Sequence, residues 1–232
     1  MDGWIILIFV AFAIVAIVAG YFSYQAQQKR IIELSQFAAT RGWQFDTAKD
    51  RSHDARYEHF SLFTQGNDRY AYNTIRGALA VEGQHWPVQL GDYHFTTKQS
   101  NGKSTTTVTH ALSYVLLETP HLGLPDLFIR REGFFDKVAS VLGFDDIDFE
   151  SAEFSDRFIV KSRDKRFAYD VLHPRMMEFM LDGAPPTIDF RRGQCCMHLG
   201  EKCWSRSEFE AVLAWVVEFF SRWPRHVTTS LS

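Results

Sequence analysis

The chain has 232 residues, with 25 Lys and Arg against 28 Asp and Glu and a net charge of −3, which argues against a general nucleic-acid binder with its basic face and high pI. Forty-six per cent hydrophobic and 23% charged residues is globular composition, not that of a disordered chain. Three cysteines, two of them adjacent (Cys195 and Cys196), make a poor disulfide framework and fit a reducing compartment.

Residues 4–22, WIILIFVAFAIVAIVAGYF, carry no charge, and the uncharged run extends over 3–28 before Lys29-Arg30 closes it. A helix crossing a bilayer needs about 20 predominantly apolar residues. A cleaved signal peptide would begin with a basic segment and have an apolar core of about 7–15 residues, whereas this chain begins Met-Asp-Gly. A buried core helix that is apolar on every side over this length, at the very N-terminus, is unusual. Residues 1–28 are therefore read as a transmembrane anchor, with Trp4 at one interface and Phe22, beside Tyr21 and Tyr24, at the other. Lys29, Arg30 and Arg41 against a single Glu33 put the C-terminal side in the cytoplasm, giving a single-pass protein of the cell membrane. Ala13, Ala16 and Gly20 share one face, and Ala16-x-x-x-Gly20 is a small-residue pair that would let two such helices pack as a homodimer. The alternative is that these small residues simply face lipid.

Residues 29–42 continue as a helical stalk: Ile31, Leu34 and Ala38 recur at helical spacing, Ile32 and Phe37 widen the stripe, and Arg41-Gly42 is a stop signal. Packing on the chain's own domain explains that stripe better than a partner helix does. The expected fold class is α+β, with a cytosolic domain over 43–224 divided into a β-rich half (43–118) and a mixed half (119–224), and a tail at 225–232. The β-rich half reads as an antiparallel meander of about five strands. Its segments are Trp-Gln-Phe-Asp at 43–46, 59–63, 69–75, 88–97 with a bulge at Gly91, and 105–117, with a polar loop at 47–57. Asn101-Gly102 marks a hairpin. In the second half, strands are expected at 127–130, 147–149, 157–161, 187–191 and 194–199, the last two turning at Arg192-Gly193. A short helix is expected at 134–142. Residues 165–181 are helical but split by Pro174, which belongs in the first turn of the second piece. The final helix is a long amphipathic one, opened by the capping box Ser205-x-x-Glu208 and stopped by Pro224.

The runs DIDFESAEFSDRFIVK (146–161) and DKRFAYDVLHPRMMEF (164–179), with the GDYHF pattern in the hairpin of 77–93, resemble uncharacterised bacterial families that carry one N-terminal membrane helix and one cytosolic domain of unknown function. The resemblance implies a membrane-anchored α+β domain and brings no catalytic residues with it.

Candidate chemistry is sparse. Cys196, His198 and Cys203 would gather on one face if 199–202 formed a hairpin turn, and soft ligands in that arrangement would hold Zn²⁺. The rival is an ordinary hairpin in which the thiols are apolar core, and no cofactor is needed. Asp50, His53 and His59, with Asp54 among them, form a carboxylate–imidazole group suited to acid–base or metal chemistry, against which stands an ordinary polar loop. Asp92, His94, His110 and Ser113 contain the residue types of a hydrolytic triad, but no G-x-S-x-G elbow accompanies them and alternation divides them between faces. Basic groups at Arg130-Arg131, 161–166 and Arg191-Arg192 are either a solvated face or a contact for anionic headgroups. The reading that follows is a membrane-tethered, non-enzymatic interaction domain, touching the lipid bilayer through its N-terminal helix and docking a protein partner. A membrane-anchored hydrolase or metal-dependent enzyme and a structural subunit of a membrane assembly are the alternatives.

Overall fold

The structure, a computed structural model, describes residues 3–133 and 146–229, so the helix expected at 134–142 lies outside the described residues. It opens with one unbroken helix, α1 (Gly3–Thr40), 38 residues long. At 1.5 Å per residue this is about 57 Å, enough to cross a bilayer and continue for several turns beyond it. It is long and apolar enough to span a membrane, and none of its most apolar window is buried. The end of α1 is closed by backbone geometry. Gly42 sits at φ +66°, its N–H reaches the Ala39 carbonyl at 3.1 Å, and the Trp43 N–H reaches that of Ala38 at 2.9 Å. This double closure over a left-handed glycine is the Schellman arrangement.

The fold is α+β. Eight strands form one antiparallel sheet in the order β1-β2-β3-β4-β8-β7-β5-β6. Half of them build the N-terminal meander: β1 (Gln44–Asp46), β2 (Asn67–Val81), β3 (Gln84–Ser100) and β4 (Thr105–Glu118). The other half are β5 (Leu127–Arg131), β6 (Phe158–Ser162), β7 (Thr187–Arg191) and β8 (Gln194–His198). Among the described residues the further helices are α2 (His53–Arg56), α3 (Ala152–Arg157), α4 (Lys165–Val171), α5 (Pro174–Leu181), α6 (Arg206–Ser221) and α7 (Arg225–Thr229). The two sequence halves thus share one sheet, joined where β4 pairs with β8.

Helix starts follow local chemistry. Pro174 opens α5, where its missing N–H costs nothing, and Asp164 accepts from the Arg166 and Phe167 amides to start α4. Ser205 and Glu208 make the reciprocal capping box of α6. The β7–β8 turn places Arg192 at φ 52° and Gly193 at φ 73°, as a two-residue turn of this kind demands.

Several expectations need correction. The meander has four strands, because 59–63 is not a strand: Ser61–Thr64 is a 3₁₀ turn, and Leu62 and Phe63 in it and Phe60 just before it are all buried. Those residues cover the second face of the sheet, so they do not alternate. The polar segment before it contains α2. Residues 147–149 are irregular, although the Ile147 N–H bonds to the Val160 carbonyl at 2.9 Å. Residues 225–229 are helix α7 rather than tail, with Val227 in the core.

Both faces of the sheet are covered. On one, Ile75, Leu90, Val115, Met197, Ile188 and Ile129 meet the helices, including Leu34, Phe37 and Ala38 of α1 and Phe209, Val216 and Phe219 of α6. On the other, Tyr93, Phe95, Leu112, Tyr114 and Cys196 pack under Tyr57, Phe60, Leu62 and Phe63. The stalk is therefore part of the domain: Leu34 and Phe37 are fully buried, and Phe37 packs on Trp43 and Phe209.

A bulge in β2 shapes what lies beneath α1. Tyr72 pairs with Asp92 and Ile75 with Leu90, so Asn73 and Thr74 together oppose Gly91. Asn73 takes φ 50°, a conformation that asparagine tolerates. The bulge expected at Gly91 therefore lies in the partner strand. Gly91 is the seat on which it rests, because a Cβ there would strike the Asn73 carbonyl oxygen and the Thr74 backbone.

Candidate functional site

The most elaborate polar cluster joins the anchor helix to the sheet. Arg30 of α1 donates twice to Asp92 of β3, Nε to Oδ2 at 2.7 Å and Nη2 to Oδ1 at 2.5 Å. Its Nη1 donates to the Trp204 carbonyl at 2.9 Å. Ser113, paired with Asp92 across β3–β4, donates to Asp92 Oδ1 at 2.7 Å and accepts from the Trp204 N–H at 2.9 Å. Asn73, turned by the bulge, donates to Asp92 Oδ2 at 3.0 Å. Asp92 is fully buried, so a fork of this kind supplies both opposite charge and hydrogen bonds to a carboxylate with no water. Burial alone would lower the Arg30 pKa, but the Asp92 carboxylate outweighs it and holds the guanidinium above its ordinary value. A second link comes from Glu33, whose Oε1 accepts the Arg206 N–H at 2.7 Å at the start of α6.

Arg30, one of the positive charges that flank the apolar run, is thus engaged with the sheet. Its side chain is mostly buried, while Lys29 is exposed. The anchoring aromatics Trp4 and Phe22 are 65% and 67% exposed, as lipid-facing rings on a lone helix would be. Ala13 and Ala16 are likewise exposed, and a Cβ on Gly20 would meet nothing within 4 Å.

Cys196, His198 and Cys203 do not converge. Cys196 and His198 share the face of Leu116 and Tyr114. The chain does not turn back as a hairpin after His198. It runs on over β4, where the Ser113 N–H bonds to the Lys202 carbonyl at 3.0 Å. That path delivers Cys203 to the α1 side of the sheet, with its Sγ 3.9 Å from the Tyr72 hydroxyl. Burial, with the Asp92 charge, pushes the Cys203 thiol up to about 11, and burial pushes Cys195 and Cys196 well above the usual thiol range. Such thiols are inert packing groups. Among the described residues no three His, Cys, Asp or Glu side chains stand within reach of one metal ion.

The carboxylate–imidazole group is likewise dispersed. Asp50 accepts from the Ser52 hydroxyl and amide and faces Arg56 at 3.3 Å, while Asp54 holds Arg69 at 2.8 Å. His59 bonds to Gln194 of β8 at 2.9 Å. His53 is fully buried against Tyr57, Phe63, Tyr93 and Tyr114, with Nδ1 3.3 Å from the Gln89 amide and Nε2 unpartnered. Burial drives its pKa down to about 4, so it is a neutral ring in an aromatic cage. Asp92 and Ser113 do meet, but without a histidine: His94 stacks on Tyr70, and His110 stacks on Phe95 across the sheet. Of the basic groups, Arg191 is held by Asp189 at 2.6 Å and Lys161 by Asp146 at 3.2 Å. Their strands lie in the half of the sheet away from α1.

Sequence reasoning missed the Arg30 cluster, though one signal for it existed. An aspartate set among Leu90, Tyr93 and Phe95 in a strand buried on both faces needs a cationic partner.

Neither a family model nor a curated protein matches the chain. Among solved structures, the crystal structure of the mycobacterial trehalose monomycolate transport factor A, TtfA, is similar, with a TM-score of 0.54 at 11% identity over 84% of this chain and 96% of that one. At that identity the likeness concerns the fold alone.

Proposed function

We propose that this protein is a single-pass, membrane-tethered accessory domain without enzymatic activity, held on the cytoplasmic face of the cell membrane, where it docks a protein partner. The observation that carries this reading is the Arg30–Asp92 clasp, which makes the anchor and the domain one body instead of a domain on a leash. A docking surface gains from such fixation, because less orientational freedom remains to be lost on binding. The dispersal of the candidate catalytic side chains into structural contacts supports the same reading, as does a fold shared with a transport factor. The cytoplasmic placement rests on Lys29, Arg30 and Arg41 and on three free cysteines. Topology follows Lys and Arg counts near the span and not net charge, so the pairing of Arg30 with Asp92 does not cancel its vote.

The test is affinity purification of the full chain from native membranes, beside Arg30→Ala. A stoichiometric partner that is retained by the wild type and depleted in the variant is the expected result. A chain that purifies alone, or as a homo-oligomer dispersed by Gly20→Leu, rejects the docking role, the latter in favour of assembly through the span. Protease protection in sealed vesicles checks the side of the membrane.

A further inference from the structure

The clasp has an open groove beside it, of about 440 Å³, lined by Gln27 and Arg30 of α1, Tyr70 and Tyr72 of β2, His94 of β3 and Lys49. Its volume falls in the range of small-molecule sites. Its place relative to the membrane follows from the packing of α1. Phe37 lies against Trp43, which covers Gly77 in the row paired with Val88, and Arg30 lies over the row of Tyr72 and Asp92. Going up α1 toward the span is therefore also going outward along β3, and the next row, Tyr70 with His94, is on the membrane side of the clasp. Gln27 follows Tyr24, the last aromatic of the apolar run, by three residues, about 4.5 Å of helix. The groove thus opens at the level of the headgroups.

Its chemistry is amphipathic and cationic. Tyr70 and His94 stack with ring centroids 4.4 Å apart, giving a flat floor of the kind favoured at membrane interfaces. The Lys49 ammonium sits 4.5 Å over the Tyr70 ring, and both it and His94, whose Nε2 is 3.6 Å from Asp68 Oδ2, lie in the field of the Asp68 carboxylate. The other charges are balanced: Arg30 by Asp92, and Arg51, 5.2 Å from the same ring, by Asp68 at 2.7 Å. Burial lowers the His94 pKa, leaving that ring neutral at physiological pH. The exposed hydroxyls of Thr47 and Thr109 add donors at the rim.

We propose that this groove seats the headgroup of an anionic phospholipid from the leaflet on the domain's side, its phosphate on Lys49 and its glycerol or polar head across Tyr70 and His94. The proposal rests on α1 spanning a membrane and is independent of any docked protein. The test uses the full chain in nanodiscs, with a photo-crosslinking amino acid in place of Thr109 and adducts read by mass. With phosphatidylglycerol present, a phospholipid adduct is expected, and Lys49→Glu should lower its yield roughly twenty- to thirtyfold, since it changes the local charge by two units and each is worth about fivefold in lipid attraction. Lys103→Glu, on the exposed β3–β4 turn, should leave the yield within about twofold. Equal yield in pure phosphatidylcholine, equal loss with both lysine variants, or an adduct to a second copy or another protein instead of lipid would overturn the proposal. No lipid adduct on the wild-type chain, with partner capture intact, would sink this site and leave the docking role standing.

Discussion

His53 and Asp189 are buried groups whose titrations oppose one another. Burial raises the Asp189 carboxyl from 3.8 to about 6, with Arg191 offsetting only part of that shift. Between those values the native chain keeps a proton that the unfolded chain has lost. The stabilisation from this proton is complete at low pH and disappears as pH rises through 6. His53 behaves in the opposite sense. Its ring falls from 6.5 to about 4, so the unfolded chain takes up a proton that the native cage refuses. Its contribution is complete above 6.5 and is lost as pH falls toward 4. The two slopes cancel over much of pH 4–6. Asp189→Asn should therefore steepen the loss of stability on acidification, and His53→Gln should make it shallower. Each change should be on the order of 2–3 kcal/mol across that window, since a pKa unit corresponds to about 1.4 kcal/mol. Urea unfolding of the full chain in detergent at pH 6 and 4.5 measures both, and profiles parallel to wild type for both variants would refute the assignment.

Among the elements, α1 is part exposed apolar span and part core, and composition conceals the boundary. The apolar run of 4–22 and the stripe of Leu34, Phe37 and Ala38 were both legible, as were Gly42 as a stop, Pro174 as a start and the Ser205–Glu208 box, because each depends on a few adjacent residues. The 3₁₀ turn at Ser61–Thr64 and the bulge at Asn73 were not. Their form is set by what lies across the sheet: Tyr93 and Tyr114 for the first, Gly91 for the second. The Arg30 site was hidden in the same way, its partners being 62 and 83 residues distant in sequence. Phe37→Ala should accordingly cost about 3–4 kcal/mol, the usual price of deleting a fully buried ring. Phe22→Ala, equally aromatic but in the exposed apolar part of the same helix, should leave unfolding of the sheet unchanged. Chemical denaturation followed by tryptophan fluorescence distinguishes them, and equal losses would mean that the two parts of α1 do not differ as described.

For the whole molecule, the consequence is where the folding unit begins. The domain is expected to start at 43, after a stalk whose apolar stripe packs on it, and the packing places core residues of the sheet's helical face on α1. Removing residues 1–28 takes away the apolar span and leaves Arg30, Glu33, Leu34, Phe37 and Ala38 in position. Removing residues 1–42 also strips one face of Trp43's neighbours and leaves Asp92 buried without its guanidinium. Uncovering Leu34 and Phe37 sites forfeits roughly 2–3 kcal/mol each, and an uncompensated buried carboxylate costs about 3–5 kcal/mol. Their sum is comparable to the total stability of a typical domain, about 5–15 kcal/mol. The chain beginning at residue 29 should therefore be soluble and unfold cooperatively, whereas the chain beginning at 43 should aggregate or bind hydrophobic dyes. Adding residues 29–42 back as a separate peptide should restore cooperative unfolding to the shorter chain. If residues 43–232 alone melt with the same midpoint as 29–232, α1 does not close the core, and the anchor is a leash after all.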